Sequence, residues 1–224
     1  MELKYPKLSV GIKLMYISWW CALIGAVVGF VGGIASAFAG AGLAVVVELA
    51  AGVLELLLYG LQLAGLYKAG KDEERYKKVY YMLLTELLIA VVLIAVMFTQ
   101  SYVLIFGVGV IGGLVCLVLE PLRLCLFVKY TEELVRENGD AGVDGYYKAI
   151  RNCLFISYGG VVIGSIITAL EVIQWLGVLL IVVAMLSALA CCIFYGIFLH
   201  NTNKFFKTLE KAETVNDFDG EQIL

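Results

Sequence analysis

The stretch YVLIFGVGVIGGLVCLVL, residues 102–119, carries no charged side chain and no amide. As an α-helix these eighteen residues rise about 27 Å, close to the ~30 Å hydrocarbon core of a bilayer. A barrel strand would alternate apolar and polar residues. This chain is instead apolar on both parities, as at Leu56-Leu57-Leu58 and Ile181-Val182-Val183. In lipid a segment has to satisfy its own backbone N–H and C=O groups, so continuous runs of this length are helices.

Working outward, the run extends over about 102–130, and five others stand beside it at about 14–39, 43–67, 79–99, 153–172 and 177–199. Together they take up most of the 224 residues. Composition agrees: 62% of residues are hydrophobic, 16% are charged and the mean hydropathy is +0.95, whereas a soluble domain has roughly a quarter of its residues charged. The expected fold class is an all-α polytopic membrane protein, a single six-helix transmembrane domain over residues 1–213. After Lys211 the chain turns acidic, and 214–224 reads as a disordered cytoplasmic tail.

Charge sets the expected topology. The 16 lysines and arginines fall in four blocks: Lys4–Lys13, Lys68–Lys78, Arg123–Arg151 and Lys204–Lys211. The breaks near Gly40-Ala41-Gly42, Thr99-Gln100-Ser101 and Glu171-Val172-Ile173-Gln174 contain none. Basic residues are retained on the cytoplasmic side, so the six helices read as three hairpins with both termini inside. Trp19, Trp20, Tyr67, Tyr80, Tyr81, Tyr130 and Tyr147 fall near the same inner boundary, where amphipathic rings settle. A cleaved leader competes at the N-terminus, because Ala35-Ser36-Ala37 resembles a signal-peptidase site. The apolar run before it is longer than the usual 7–15 residues of a signal core, which favours a retained first helix.

The inner linkers share an aromatic two residues before a lysine, at Tyr5/Lys7, Tyr76/Lys78, Tyr146/Lys148 and Phe205/Lys207. This is a vestige of a two-helix repeat or the ordinary dress of an inner interface. Gly70 reads as the end of the second helix and Asp72 as the cap of the third, with Glu73 and Glu74 at that helix's positive end. The fourth helix is expected to stop at Asn138-Gly139. Residues 138–149 fail as a calcium loop, because Gly142 and Ala149 stand where ligands are needed. The linker Thr131-Glu132-Glu133-Leu134-Val135-Arg136-Glu137-Asn138-Gly139-Asp140 is similar to a segment in an uncharacterised group of multi-spanning bacterial membrane proteins. Gly65-Leu66-Tyr67-Lys68 with Tyr76-Lys77-Lys78 resembles the linker that precedes it there. The resemblance implies a bacterial inner-membrane location and no activity.

Small residues recur at four-residue spacing: Gly25, Gly29, Gly33 and Ala37, then Gly109 and Gly113, then Gly160 and Gly164. Such stripes let helices approach closely in lipid, within one chain or between chains. Cys21, Cys116, Cys125, Cys153, Cys191 and Cys192 sit in spans or at their inner ends, without metal spacing or a histidine cluster. They read as packing residues, and no metal or cofactor is expected. His200, the sole histidine, suits an interfacial helix end. Neither HExxH nor GxSxG occurs, so no enzyme is expected, and nothing points to nucleic acid.

Acidic residues inside the spans are the functional lead. Glu48 and Glu171 fall at the outer interface, and Glu120 is spaced to pair with Arg123 around Pro121, which frees a carbonyl and kinks the helix. Glu55 and Glu86 lie roughly 20 Å and 12 Å from the inner boundary, at hydrocarbon depth, where a carboxylate has to be protonated, paired or wet. With no basic residue assigned to that depth, a salt bridge is not expected; Thr85, Gln62 and Ser187 are the candidate hydrogen-bond partners. Glu55 and Glu86 are therefore the transport candidates, as proton or cation sites. The expected function is a transporter of a small solute or ion with proton coupling. The alternative is a non-transporting scaffold or accessory subunit that binds a membrane-protein partner, a second copy or anionic lipid.

Overall fold

A computed structural model describes residues 5–39, 41–139, 142–169 and 174–221, apart from the side chains of 35–39, 41–44, 48 and 210–221. Gly40, Glu48, the break at 171–173 and the acidic tail's side chains, all read from the sequence above, lie outside that description. Six helices follow one another: α1 Pro6–Ala39, α2 Ala41–Asp72, α3 Arg75–Met97, α4 Tyr102–Glu137, α5 Tyr146–Ala169 and α6 Gln174–Glu221. All six contain stretches long and apolar enough to cross a membrane, and no strand occurs among the described residues. The helices overrun the apolar runs at their basic ends, because nothing there stops them until a cap or turn residue arrives. The α6 backbone is helical through Glu221, where composition reads as disorder; residues 200–221 contain no proline and one glycine to interrupt it.

By contacts the chain divides into two compact units, Met1–Tyr80 with Asn203–Leu224, and Tyr81–Thr202. In the first, α1 and α2 meet at glycines. A Cβ on Gly11 would stand 2.6 Å from the Gly65 carbonyl oxygen and 3.0 Å from the Ala69 nitrogen, and one on Gly65 would stand 2.9 Å from the Gly11 oxygen. Only glycine permits that backbone approach. Leu8, Ile12, Leu66 and Tyr76, in the same unit, are fully buried.

Asp72 has a task that its sequence position does not imply. It lies in the last turn of α2, and its Oδ2 accepts the backbone N–H groups of Lys7 and Leu8 at 2.7 and 2.8 Å. These are orphan donors in the first turn of α1. The carboxylate thus caps a helix 65 residues away in sequence, and its charge also complements the positive helix end. At the α2–α3 turn, Arg75 pairs with Glu73 at 3.0 Å. A hydrogen bond from Lys77 at 2.7 Å, reinforced by its charge, holds the Glu74 carboxyl below its ordinary value. We expect Asp72→Ala to lower stability by about 1 kcal/mol, the usual worth of an N-cap, while Asp72→Asn keeps most of it. Chemical unfolding in detergent micelles would show this, and an unchanged midpoint for Asp72→Ala would contradict it.

In the second unit, α3 meets α4 where a Cβ on Gly112 would stand 2.9 Å from Ile89. Between α5 and α6, Cβ atoms on Gly160 and Gly164 would stand 2.9 Å from Ala184 Cβ and 2.8 Å from the Gly177 oxygen. The other glycines of the sequence stripes behave differently. Gly25 has Leu54 at 3.7 Å, whereas a Cβ on Gly29, Gly33, Gly109 or Gly113 would meet nothing within 4 Å. The α4 helix ends as its sequence predicts: Asn138 occupies the C-cap, and Gly139, at φ +88, donates its N–H to the Arg136 carbonyl. Glu132 then repeats the device seen at Asp72, accepting the N–H groups of Gly145 and Tyr147 at the start of α5.

Burial is concentrated toward the basic ends. Phe127, Leu134, Ile150 and Phe198 are almost fully covered, while Phe98 and Phe106 are 83% and 75% exposed. This gradient puts the polar groups described next at the edge of the covered region.

Candidate functional site

Four helices of the second unit bring ionisable side chains toward one another within the spans. Glu86 comes from α3, Glu120 and Arg123 from α4, Tyr158 from α5 and Tyr195 from α6. Glu120, Arg123 and Phe127 fall at i, i+3 and i+7, on one broad face of α4. Arg123 Nε donates to both carboxylate oxygens of Glu86 at 3.1 Å each. Both side chains are only 9% exposed. Tyr158 donates its hydroxyl to Glu120 Oε2 at 2.9 Å. Tyr195, buried, sets its ring edge-on to Phe127 at 6.3 Å.

This arrangement corrects one sequence expectation: Glu86 does have a basic partner, Arg123. The spacing of Glu120 and Arg123 makes a pair on one helix available, and the guanidinium reaches across to α3, where it meets a carboxylate buried as deeply as itself. Counted from residue 130, Arg123 lies about 10 Å deep, which matches Glu86. An arginine within an apolar span is itself a sign of an intramembrane partner, and that sign is present in the sequence. The hydroxyls expected to serve the glutamates are also occupied elsewhere: Thr85 bonds to the Tyr81 carbonyl at 2.9 Å and Ser187 to that of Cys153 at 2.9 Å.

Glu55 is placed otherwise. It lies in α2, in the first unit, with its side chain exposed and with no hydrogen-bond or ion-pair partner among the described residues. Its neighbours Val53, Leu56 and Leu57 are 57%, 76% and 52% exposed. The structure therefore gives the two transport candidates separate surroundings, one a closed ion pair and the other a bare carboxyl on an apolar face.

Two clefts border the polar groups of the second unit. One, of about 440 Å³, lies beside Ser157, Tyr158, Cys191 and Tyr195. The other, of about 750 Å³, runs between α4 and α5 from Leu117 and Val118 to Tyr147 and Arg151. Tyr158 and Leu117 line both. Pro121 has no N–H to offer the Leu117 carbonyl, so a backbone acceptor freed within α4 belongs to a residue of both cleft walls. Chemically, the group holds two carboxylates, one guanidinium and two phenols: one carboxylate is neutralised by charge and the other is met by a hydroxyl. Among the described residues no cluster of metal-ligating side chains occurs.

Fold and polar groups together define the class: an all-α, multi-pass membrane protein with ionisable residues inside its spans. Comparison with protein-family models, with curated proteins and with solved structures finds no match.

Proposed function

We propose that this chain is a non-catalytic accessory or scaffold subunit of a cell membrane, built as three helical hairpins with both termini in the cytoplasm. Glu55 carries the proposal. An ionised side chain at mid-membrane costs about 2.5–3.5 kcal/mol on an insertion scale, and nothing among the described residues offsets it. A partner helix that presents a hydroxyl or amide at that depth removes the cost. Gly29 and Gly52, where a Cβ would meet nothing within 4 Å, leave room for a close helix approach.

The topology rests on the basic blocks and is supported by aromatic residues at the same ends. Lys71 lies 4.5 Å from the Tyr67 ring, Arg151 lies 5.4 Å from that of Tyr147, and Tyr16 stacks on Trp19 at 6.3 Å. Retention of α1 is supported by its packing: cleavage after residue 37 would uncover Gly65 and strip Asp72 of both donors.

The expected result concerns the mass of the assembly extracted from native membranes in a mild detergent. Wild type and Glu55→Gln, which keeps hydrogen-bonding capacity, should migrate as a complex larger than one chain. Glu55→Leu should release the single chain, with its helix content intact by circular dichroism. A wild type that migrates as a single chain, or a Glu55→Leu complex of unchanged mass, would overturn the proposal.

A second reading, proton-coupled transport, is favoured by Glu120, whose hydroxyl partner Tyr158 lines both clefts. Flux through the purified protein alone in proteoliposomes, abolished by Glu120→Gln, would establish it in place of the first.

A further inference from the structure

The wider cleft between α4 and α5 is graded along its length. Toward the middle of the spans its walls are Leu117, Val118, Leu122 and Phe155. Toward the basic end they become Tyr147, Arg151 and Asn152. From Arg151 to Gly159 the α5 wall is about 12 Å long. Leu117, Val118, Leu122, Asn152 and Phe155 are exposed, so the cleft is reachable from the side.

Arg151 differs from Arg123 and Lys129 of the facing helix. Arg123 and Lys129 have carboxylates at 3.1 and 3.9 Å, from Glu86 and Glu133. Arg151 is half-buried and has no carboxylate among the described residues; its guanidinium lies 5.4 Å from the centre of the Tyr147 ring. A cation held at the polar end of an apolar groove, without a counterion among the described residues, is complementary to an amphiphile with an anionic head.

We infer that the α4–α5 cleft binds an anionic phospholipid of the inner leaflet, its phosphate on Arg151 and Asn152 and an acyl chain along Leu122, Val118 and Phe155. A soluble anion would leave the apolar length unused, and a zwitterionic lipid would bring no net charge to the guanidinium. Basic pockets between spanning helices on the cytoplasmic side bind anionic head groups in this way, and the cleft volume of about 750 Å³ suits a small-ligand site. The inference rests on the reading that the basic ends face the cytoplasm. It is independent of any partner at Glu55, so either can fail alone.

The test is native mass spectrometry of the full chain in mild detergent, offered equal amounts of phosphatidylglycerol and phosphatidylcholine. Wild type should retain phosphatidylglycerol preferentially. Arg151→Gln should lose about fivefold of that preference, the factor expected of one basic residue at a membrane surface, and Arg151→Lys should keep it. Val118→Trp, which fills the apolar end and leaves the charge, should reduce retention of both lipids. Equal retention of the two lipids by wild type, or an unchanged preference in Arg151→Gln, would overturn the inference. Should Arg151→Gln not fold, full retention by Val118→Trp would overturn it as well.

Discussion

Replacing Arg123 by methionine is expected to destabilise the protein by about 3–5 kcal/mol, the cost of leaving one member of a buried pair without its counter-charge. Glu86 would keep a carboxylate that is 9% exposed, with neither water nor its cation to compensate. Interhelical hydrogen bonds in membranes average only about 0.6 kcal/mol, because the unfolded chain in lipid also finds partners. Charge should decide between these magnitudes. A neutral donor loses little by exchanging partners, whereas an orphaned ion has no equivalent substitute in hydrocarbon.

The double variant Glu86→Leu/Arg123→Met should therefore lie closer to wild type than Arg123→Met does, since removing both charges also removes both desolvation penalties. Unfolding midpoints of the two single variants and the double variant complete a cycle. Additive losses would mean that the pair does not act as a unit. A coupling near 0.6 kcal/mol would reduce it to an ordinary helix–helix hydrogen bond.

The second large effect belongs to Gly11. A Cβ there would stand 2.6 Å from the Gly65 carbonyl oxygen, and a backbone atom cannot rotate away as a side chain can. Gly11→Val should separate α1 from α2 and cost about 1–3 kcal/mol or more, the range for overpacking. A Cβ on Gly29, on the same helix, would meet nothing within 4 Å, so Gly29→Val should leave single-chain stability nearly unchanged. The same unfolding assay compares the two, and equal losses would show that the α1–α2 crossing is not where the structure places it.

These residues show how much could be read in advance. The glycine stripe at Gly25, Gly29 and Gly33 stands out by its spacing, yet among the α1 glycines the closest backbone contact is at Gly11 and the closest side-chain contact, with Val47, is at Gly32, and neither belongs to the stripe. Gly160 and Gly164 stand out in the same way, and they do pack closely, against α6. Spacing identifies which glycines share a helix face; it does not say which face meets a neighbour. In a soluble protein, the polarity of the exposed side would supply that information. In a bilayer the lipid-facing side is as apolar as the core, so Leu56, 76% exposed, and Leu66, fully buried, cannot be told apart by type.

The same limit explains the polar groups. Glu86 and Arg123 lie 37 residues apart, on different helices, and Asp72 and Lys7 are 65 apart. Each could be seen in the sequence as a charge that needs a partner. A local partner was at hand in each case, Glu120 for Arg123 and the start of α3 for Asp72, and tertiary packing supplied a distant one.

The sequence by itself determined the six apolar helices, their order and the stop at Asn138-Gly139. A backbone in hydrocarbon has to close its hydrogen bonds within each segment, and that requirement is written in windows of about 20 residues. Only the tertiary structure decided that Arg123 reaches Glu86, that Asp72 caps α1 and that Glu55 has no partner among the described residues. Those outcomes depend on how each helix is rotated about its axis, and lipid leaves that rotation unmarked in the pattern of apolar residues.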